Sequence, residues 1–464
     1  MLPLPDEVSR RLHQFDQDHV VASWDRLDDV QRRDLLAQIE SVDLAGLRAL
    51  HANRDRPADV SAGAIDPVPT IAHDDPRAAE RRALGESALS RGEVAVLLVA
   101  GGQGSRLGFE HPKGMFAIGP VTRKSLFQIH AEKVLALSCR CCKPIPLLLM
   151  TSHATHDETV AFFEENAYFG LPRGEVSFFR QGTMPALDLA TGRLLMESPG
   201  RLFLSPDGHG GTLTALAKSG LLADLARRGI RQVFYLQVDN PLVRIADPEF
   251  LGHHLAADAE VSSRVIAKNG PKEKMGVLAS VGGRCTIVEY SDLSDELAHA
   301  VDASGRLRLW AGSPAIHLFS VSFLERMTAD PDKLPLHLAR KKVPHIDEQG
   351  RHVEPKAENA LKFERFIFDV LPAADRWTVV ESLRADEFAP LKNATGADSP
   401  ATTEAALSEQ AAAWLSAAGA SVPRKADGSL TVALEVSPLY ALDAAEVRAK
   451  FDGKTRIDGP RYWG

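Results

Sequence analysis

The run Glu93–Phe116, EVAVLLVAGGQGSRLGFEHPKGMF, limits what this chain can fold into more than any other stretch. Val94 to Ala100 is unbroken apolar sequence, and glycines end it. Such a run predicts a strand buried on both faces, at the centre of an α/β sheet. The loop after that strand falls at the carboxyl edge of the sheet, where open α/β folds hold ligands. Its glycines let backbone N–H groups approach a phosphate chain closely, and Arg106 and Lys113 add positive charge. A polyphosphate-binding loop is the expectation. It is not a Walker loop, because Lys113 comes too late after Gly108. It is not a dinucleotide fingerprint either, because Gly102-Gln103-Gly104 is followed by Ser105-Arg106-Leu107 with no third glycine in place.

The neighbouring sequence supports an α/β sheet. Residues 78–91 predict a helix leading into the central strand. Pro146–Thr151, Val176–Arg180, Arg201–Ser205 and Gln232–Val238 predict strands. Asp157–Asn166 and Thr212–Arg228 predict helices. This alternation argues for a mostly parallel, doubly wound sheet. Residues 260–320 are richer in strands and read as an antiparallel extension closing over the carboxyl edge. Residues 341–355 predict a hairpin. Residues 5–52 read as amphipathic helices, and the proline-bearing stretch 53–77 as a linker or extended arm. The resulting partition is an N-terminal helical arm over 1–85, a central catalytic domain over 86–383 and a small C-terminal domain over 384–464.

Composition removes several classes. The chain has 464 residues and a net charge of −8, which is no footprint for a nucleic-acid binder. No apolar window is long enough to span a membrane. Four cysteines give no disulfide framework and suit a cytoplasmic protein. Cys139-Arg140-Cys141-Cys142 lacks the second half of a zinc site.

Other chemistry-bearing residues sit where strands end. Gln181, before Gly182, offers a donor and an acceptor for a nucleobase edge. Gly208-His209-Gly210-Gly211-Thr212 opens a helix at an anion-friendly end. Asp239 closes an apolar strand, a position from which a carboxylate can hold Mg²⁺. Glu289 ends another strand and could accept from sugar hydroxyls. Lys392 is a late basic residue near the last domain boundary. There is no Ser/His/Asp or Cys/His constellation.

The segments LLVAGGQGSRLG, HPKGMF, SLFQIHAEKV, FRQGTMPA, SPDGHGG, YLQVDNPLV, IVEYSDLS, FERFIFDVL and DEFAPLKN run in order from about 94 to 394. Together they resemble the UDP-sugar pyrophosphorylases, most closely the UDP-N-acetylglucosamine pyrophosphorylases. The resemblance implies a Rossmann-like nucleotidyltransferase fold of the GT-A-like kind: a central mixed sheet flanked by helices, with an N-terminal helical arm and a small C-terminal domain. It implies UTP and a sugar 1-phosphate as substrates, UDP-sugar and pyrophosphate as products, and Mg²⁺ as cofactor. Carried over by motif, Ala100, Gly101, Gly102, Gly104, Gln181, Gly208 and Asp239 would bind the nucleotide. Arg106, Lys113 and Lys392 would be catalytic, and Asp239 would hold the metal. His209, Gly276, Glu289, Ser313, Phe366 and Phe368 would surround the sugar.

Two positions depart from that pattern. Relatives acting on N-acetylhexosamines usually carry Asn at the places of His209 and Ser313, and a Gly-His-Gly segment looks more like the glucose 1-phosphate relatives. The implied product is UDP-N-acetylglucosamine, with UDP-glucose or a broad sugar range as the alternative. Two further classes stay open at this point. A dinucleotide-dependent oxidoreductase lacks its third glycine, and a non-catalytic sugar-nucleotide sensor would not need both Arg106 and Lys113.

Overall fold

Six consecutive apolar residues, Val94–Val99, form a strand that is buried along nearly its whole length. It pairs in parallel on both sides, with Gln232–Gln237 in register Val94↔Gln232 to Val99↔Gln237, and with Leu147–Thr151 in register Val96↔Leu147 to Val99↔Met150. Val176–Arg180 continues the parallel side beyond Leu147–Thr151. The structure, a computed structural model, describes residues 2–55, 65–329, 334–453 and 455–464. It separates into two compact units, each built from non-contiguous segments. One holds Ala64–Arg180, Ala215–Pro331 and Val370–Gly464; the other holds Met1–Gly63, Gln181–Thr214 and Asp332–Asp369.

In the larger unit the four parallel strands are part of an 11-stranded mixed sheet. His317–Ser320 pairs antiparallel with Gln232–Gln237 and with Val261–Ala267. Val277–Val281, Arg284–Val288 and the short Ala311–Gly312 add further antiparallel pairs. The strand-rich segment 260–320 is therefore antiparallel, as its sequence indicates. It widens the sheet edge to edge, however, instead of folding over the carboxyl edge. Two strands of this sheet come from afar: Ile65–Pro67 pairs with Val277–Val281, and Trp377–Ser382 runs parallel to Val261–Ala267.

Helices cover the sheet. Leu126–Cys141 is capped by Ser125, whose hydroxyl accepts from the Gln128 N–H at 3.1 Å. Ala78–Arg91 ends at Gly92, which takes φ +73°. The helix expected over 212–228 is two helices, Gly211–Lys218 and Leu221–Arg227, divided at Gly220 with φ +76°. That left-handed residue turns the chain and cannot continue a helix. At the C-terminus Pro400–Ala417 and Ala444–Lys450 enclose a small core with Leu434 and Trp463.

The smaller unit packs the helices Asp6–Gln14, Asp29–Ser41 and Leu44–Ala52 against short strands. Leu12, Leu35, Ile39, Leu187, Leu202 and Phe363 lie in one core. The expected hairpin is present as His345–Ile346 against His352–Val353. Of the 53–77 linker, residues 56–64 lie outside the described residues. Among the described residues no helix is long and apolar enough to cross a membrane.

Two helices of the larger unit meet backbone to backbone. A Cβ on Gly85 of Ala78–Arg91 would lie 1.9 Å from the Pro248 carbonyl oxygen. One on Gly252 of Pro248–Ala256 would lie 1.7 Å from the Arg81 carbonyl oxygen. Neither neighbour is a side chain that can swing aside. Gly252→Ala is expected to destabilise the protein by about 1–3 kcal/mol or more through overpacking, read as a lower urea midpoint. An unchanged midpoint would show that these helices can separate freely.

Candidate active site

The loop after Val94–Val99 folds back on itself. The Gly104 N–H donates to the His111 carbonyl at 3.0 Å and the Lys113 N–H to the Gly102 carbonyl at 3.0 Å, with Gln103 and Pro112 bridged between them. This small hairpin explains how Lys113, well downstream in sequence, lies beside the glycines. Gly108, at φ +68°, closes the turn Ser105–Leu107 that carries Arg106. A Cβ at Gly104 would come 2.7 Å from the Phe109 carbonyl oxygen, whereas one at Gly102 would meet open space. Gly104 is thus required by the turn itself, and Gly102 leaves the backbone approachable from outside. The Ala100 N–H is used within the sheet, donating to the Met150 carbonyl at 2.8 Å.

Gln103, Gly104, Ser105, Arg106, Leu107, Lys113, Asp239 and Lys392 line one pocket of about 280 Å³. Lys113 Nζ is 3.8 Å from Asp239 Oδ2, and both side chains are partly exposed. Asp239 follows Gln232–Gln237, and its carbonyl accepts from the Leu391 N–H at 2.8 Å, next to Lys392. Lys392 Nζ stands 5.6 Å from the centroid of the Phe388 ring. The pocket holds three cations and one carboxylate, which suits a polyphosphate. The sequence anticipated all four charged residues but not Gln103 or Ser105, whose uncharged side chains carry no signal of their own.

The chain after Asp239 is held from below by one helix face. On Leu126–Cys141, His130 Nε2 pairs with the Val238 carbonyl at 3.0 Å. Lys133, three residues on, donates to the carbonyls of Pro241 and, at 2.8 Å, Val243. Burial pulls the pKa of His130 down to about 3 and that of Lys133 down to about 7. His130 Nε2 and Lys133 Nζ are both spent on backbone carbonyls, so both serve to hold backbone.

Also within the larger unit, Gly276, Glu289 and Ser313 come together. The Ser313 N–H donates to the Gly276 carbonyl at 2.9 Å, and a Cβ on Gly276 would fall 3.1 Å from Glu289 Oε1. Gly276 therefore makes room for the Glu289 carboxylate.

The remaining expected residues belong to the smaller unit. Gln181 is buried, and the next residue, Gly182, accepts from the Asp207 N–H at 3.1 Å. Gly208 takes φ +83°, and a Cβ there would lie 2.4 Å from the Arg365 carbonyl oxygen. The His209 ring stacks on Phe366, with centroids 5.3 Å apart and planes at 26°, and Phe368 lies 5.6 Å away. His209 Nδ1 accepts the Ile367 N–H at 3.1 Å. That bond assigns its proton to Nε2. Burial lowers the His209 pKa to about 4, so the ring is neutral at pH 7. His337 stands against Phe366 at 4.4 Å and pairs with Asp369 at 2.8 Å.

Among the described residues no group of three or more His, Cys, Asp or Glu is placed to form a metal cage, and all four cysteines are free. Asp239 is the one carboxylate lining the pocket, a donor set that fits Mg²⁺ arriving with phosphates, since that ion keeps few protein ligands.

A mixed α/β sheet with a cationic glycine loop at the carboxyl end of its central strand defines the class, a nucleotidyltransferase. A family model described as UTP-glucose-1-phosphate uridylyltransferase matches residues 49–428. The chain is 37% identical to UDP-N-acetylglucosamine diphosphorylase 2 of Arabidopsis thaliana, over 98% of this chain and 94% of that one. It is 40% identical to UDP-N-acetylglucosamine pyrophosphorylase of Saccharomyces cerevisiae, over 80% of this chain and 78% of that one. The solved uridine diphosphate N-acetylglucosamine pyrophosphorylase of Trypanosoma brucei superposes with TM-score 0.82 at 29% identity, over 99% of each chain. The chain belongs to the UTP-glucose-1-phosphate uridylyltransferase family and is a uridylyltransferase.

The His209 environment has a direct signature. The nitrogen spectrum of the labelled protein is expected to show the Nε2–H tautomer and a midpoint well below 6.5. A folded pKa below the unfolded one means that His209 costs stability as pH falls from 6.5 towards 4, and nothing above that window. A titration midpoint near 6.5 would contradict the buried, Ile367-bonded ring.

Proposed function

We propose that the protein makes UDP-N-acetylglucosamine and pyrophosphate from UTP and N-acetylglucosamine 1-phosphate. The observation that carries this reading is the convergence of Arg106, Lys113, Asp239 and Lys392 on one pocket beside an approachable glycine loop. The sugar is taken from the names of the relatives. His209 favours glucose 1-phosphate as the second reading, because it stands where N-acetylhexosamine enzymes are expected to carry Asn. A cytoplasmic location belongs to the same reading and is supported by the four unpaired cysteines.

The proposed step is an in-line displacement. An oxygen of the sugar 1-phosphate attacks the α-phosphorus of UTP, a new P–O bond forms, and the bond to the β-phosphate oxygen breaks with pyrophosphate leaving. The attacking phosphate is already largely ionised at pH 7, its second pKa being about 6, so no protein base is required. Arg106 and Lys113 would bind the triphosphate and neutralise charge as it shifts to pyrophosphate. Lys392 would orient the sugar phosphate. Within the larger unit, Gly101 and Gly102 would contact uracil, and Gly276, Glu289 and Ser313 would contact the sugar. Asp239 would hold Mg²⁺, which when bound supplies further neutralisation of the phosphates.

The test is pyrophosphate release from UTP with glucose, galactose, N-acetylglucosamine and N-acetylgalactosamine 1-phosphates. N-acetylglucosamine 1-phosphate is expected to give the highest kcat/KM. Activity with none of them would remove the proposal. Lys113→Ala is expected to lower kcat by roughly 10²–10³-fold, as loss of one preorganised charge contact does, while circular dichroism stays that of a folded protein. Undiminished turnover by the folded variant would take Lys113 out of the mechanism.

A further inference from the structure

We propose that Asn240 is a positioning residue that sets Lys392 into the pocket with Asp239, a role that rests on the uridylyl-transfer reading above. Asn240 is only 3% exposed. Both ends of its amide are spent on the backbone of one distant segment. Nδ2 donates to the Glu387 carbonyl at 2.7 Å, and Oδ1 accepts from the Ala389 N–H at 3.1 Å. The Leu391 N–H then donates to the Asp239 carbonyl at 2.8 Å. Three bonds thus fasten residues 387–391 to Asp239 and Asn240, just beyond the strand Gln232–Gln237.

The residue after the last of these bonds is Lys392. Its own N–H donates to the Asp398 carbonyl at 2.7 Å, which turns the chain there. The Glu387 carboxylate accepts the Arg244 N–H at 3.0 Å, so the same segment is tied a second time to the chain leaving the site. Lys392 reaches the pocket because its backbone is pinned at Asp239 and Asn240, not because of any contact made by its own side chain with the glycine loop.

The side chain must be an amide. It faces one carbonyl oxygen and one N–H, and only Asn or Gln offers a donor and an acceptor together on one short planar group. Reversing the amide would set oxygen against oxygen, so the two bonds also fix its orientation. Aspartate has the same shape but would put an acceptor against the Glu387 carbonyl, leaving two buried oxygens facing each other. Asn240→Asp is therefore a minimal change that breaks the link.

The experiment compares wild type, N240D, K392A and the double variant in pyrophosphate release, with hydrogen exchange measured on peptides covering 232–237 and 387–393. N240D is expected to lower kcat by roughly ten- to a hundredfold, the range a small misplacement costs, with KM for UTP little changed. Adding K392A to N240D is expected to cost less than about threefold more, because the two act as one unit. The Leu391 amide is expected to exchange at least about tenfold faster in N240D while the strand amides keep their protection. Effects that multiply in the double variant, or unchanged exchange at Leu391, would overturn the assignment. A role confined to stability would lower the melting temperature and still give multiplying effects. If wild type releases no pyrophosphate with any sugar phosphate, the uridylyl-transfer reading fails and the exchange arm alone decides whether Asn240 holds the segment. Should N240D not fold, N240A removes the same bonds without opposing two oxygens and takes its place.

Discussion

The site depends on one strand register. Val99 pairs with Gln237 in parallel, and the Val238 N–H donates to the Val99 carbonyl at 3.0 Å. The two strands therefore end level, and the loops that follow them open at the same edge of the sheet. One loop curls back through Gly102 and Gly104 to present Arg106 and Lys113. The other begins with Asp239 and is held from beneath by His130 and Lys133. A slip of one residue in that pairing would turn every side chain of the strand to the opposite face. It would also separate Lys113 from Asp239. The apolar run on both strands makes such a slip costly, so the core fixes the geometry of the charges.

The charges are arranged in two tiers with opposite properties. Lys113 and Asp239 form a partly exposed pair at 3.8 Å, and pairs of that kind contribute about 0–1 kcal/mol. Such a pair is easily exchanged, which suits a lysine proposed to move onto phosphate and a carboxylate proposed to take up a cation. Behind them lies a buried set. Asp247 is bonded by Arg264 and, at 2.8 Å, by Arg244, and Glu387 stands beside the same arginines. Burial alone would raise the Asp247 pKa, yet Arg244 and Arg264 hold it down to about 2. Breaking a buried pair costs about 3–5 kcal/mol, because the surviving charge has no solvent to turn to. The buried tier ties together the segments leaving Asp239 and approaching Lys392.

What could be read from the sequence follows from how local each feature is. The strands Val94–Val99, Leu147–Thr151 and Val176–Arg180 were legible because each is a short apolar run ended by turn residues. The charged loop was legible because Gly and Lys declare their chemistry by type. The break at Gly220 was missed because a single glycine within a helical pattern carries no sign of its φ. The strand Trp377–Ser382 escaped notice because its partner, Val261–Ala267, lies more than a hundred residues earlier. The need for glycine at 85 and 252 was equally invisible, since it arises only where two distant helices cross. Lys392 was found through its motif, but what brings it to the pocket is a set of bonds from Asn240 and Asp239, and such pairings between remote segments leave no periodic trace.

The sugar side turns on what His209 can and cannot offer. Its Nδ1 is occupied by the Ile367 N–H and its ring is neutral, so it presents a single N–H at Nε2 and a flat face already stacked on Phe366. An asparagine in that place would present both a donor and an acceptor. In the proposed sugar site the substitution therefore removes an acceptor and keeps a donor. The carbonyl oxygen of an N-acetyl group is itself an acceptor, and it can be met by Nε2–H as well as by a carboxamide N–H. A sugar hydroxyl can accept the same bond. Replacing the expected asparagine by histidine thus does not bar N-acetylglucosamine; it lessens the advantage of any ligand group that must donate at that point.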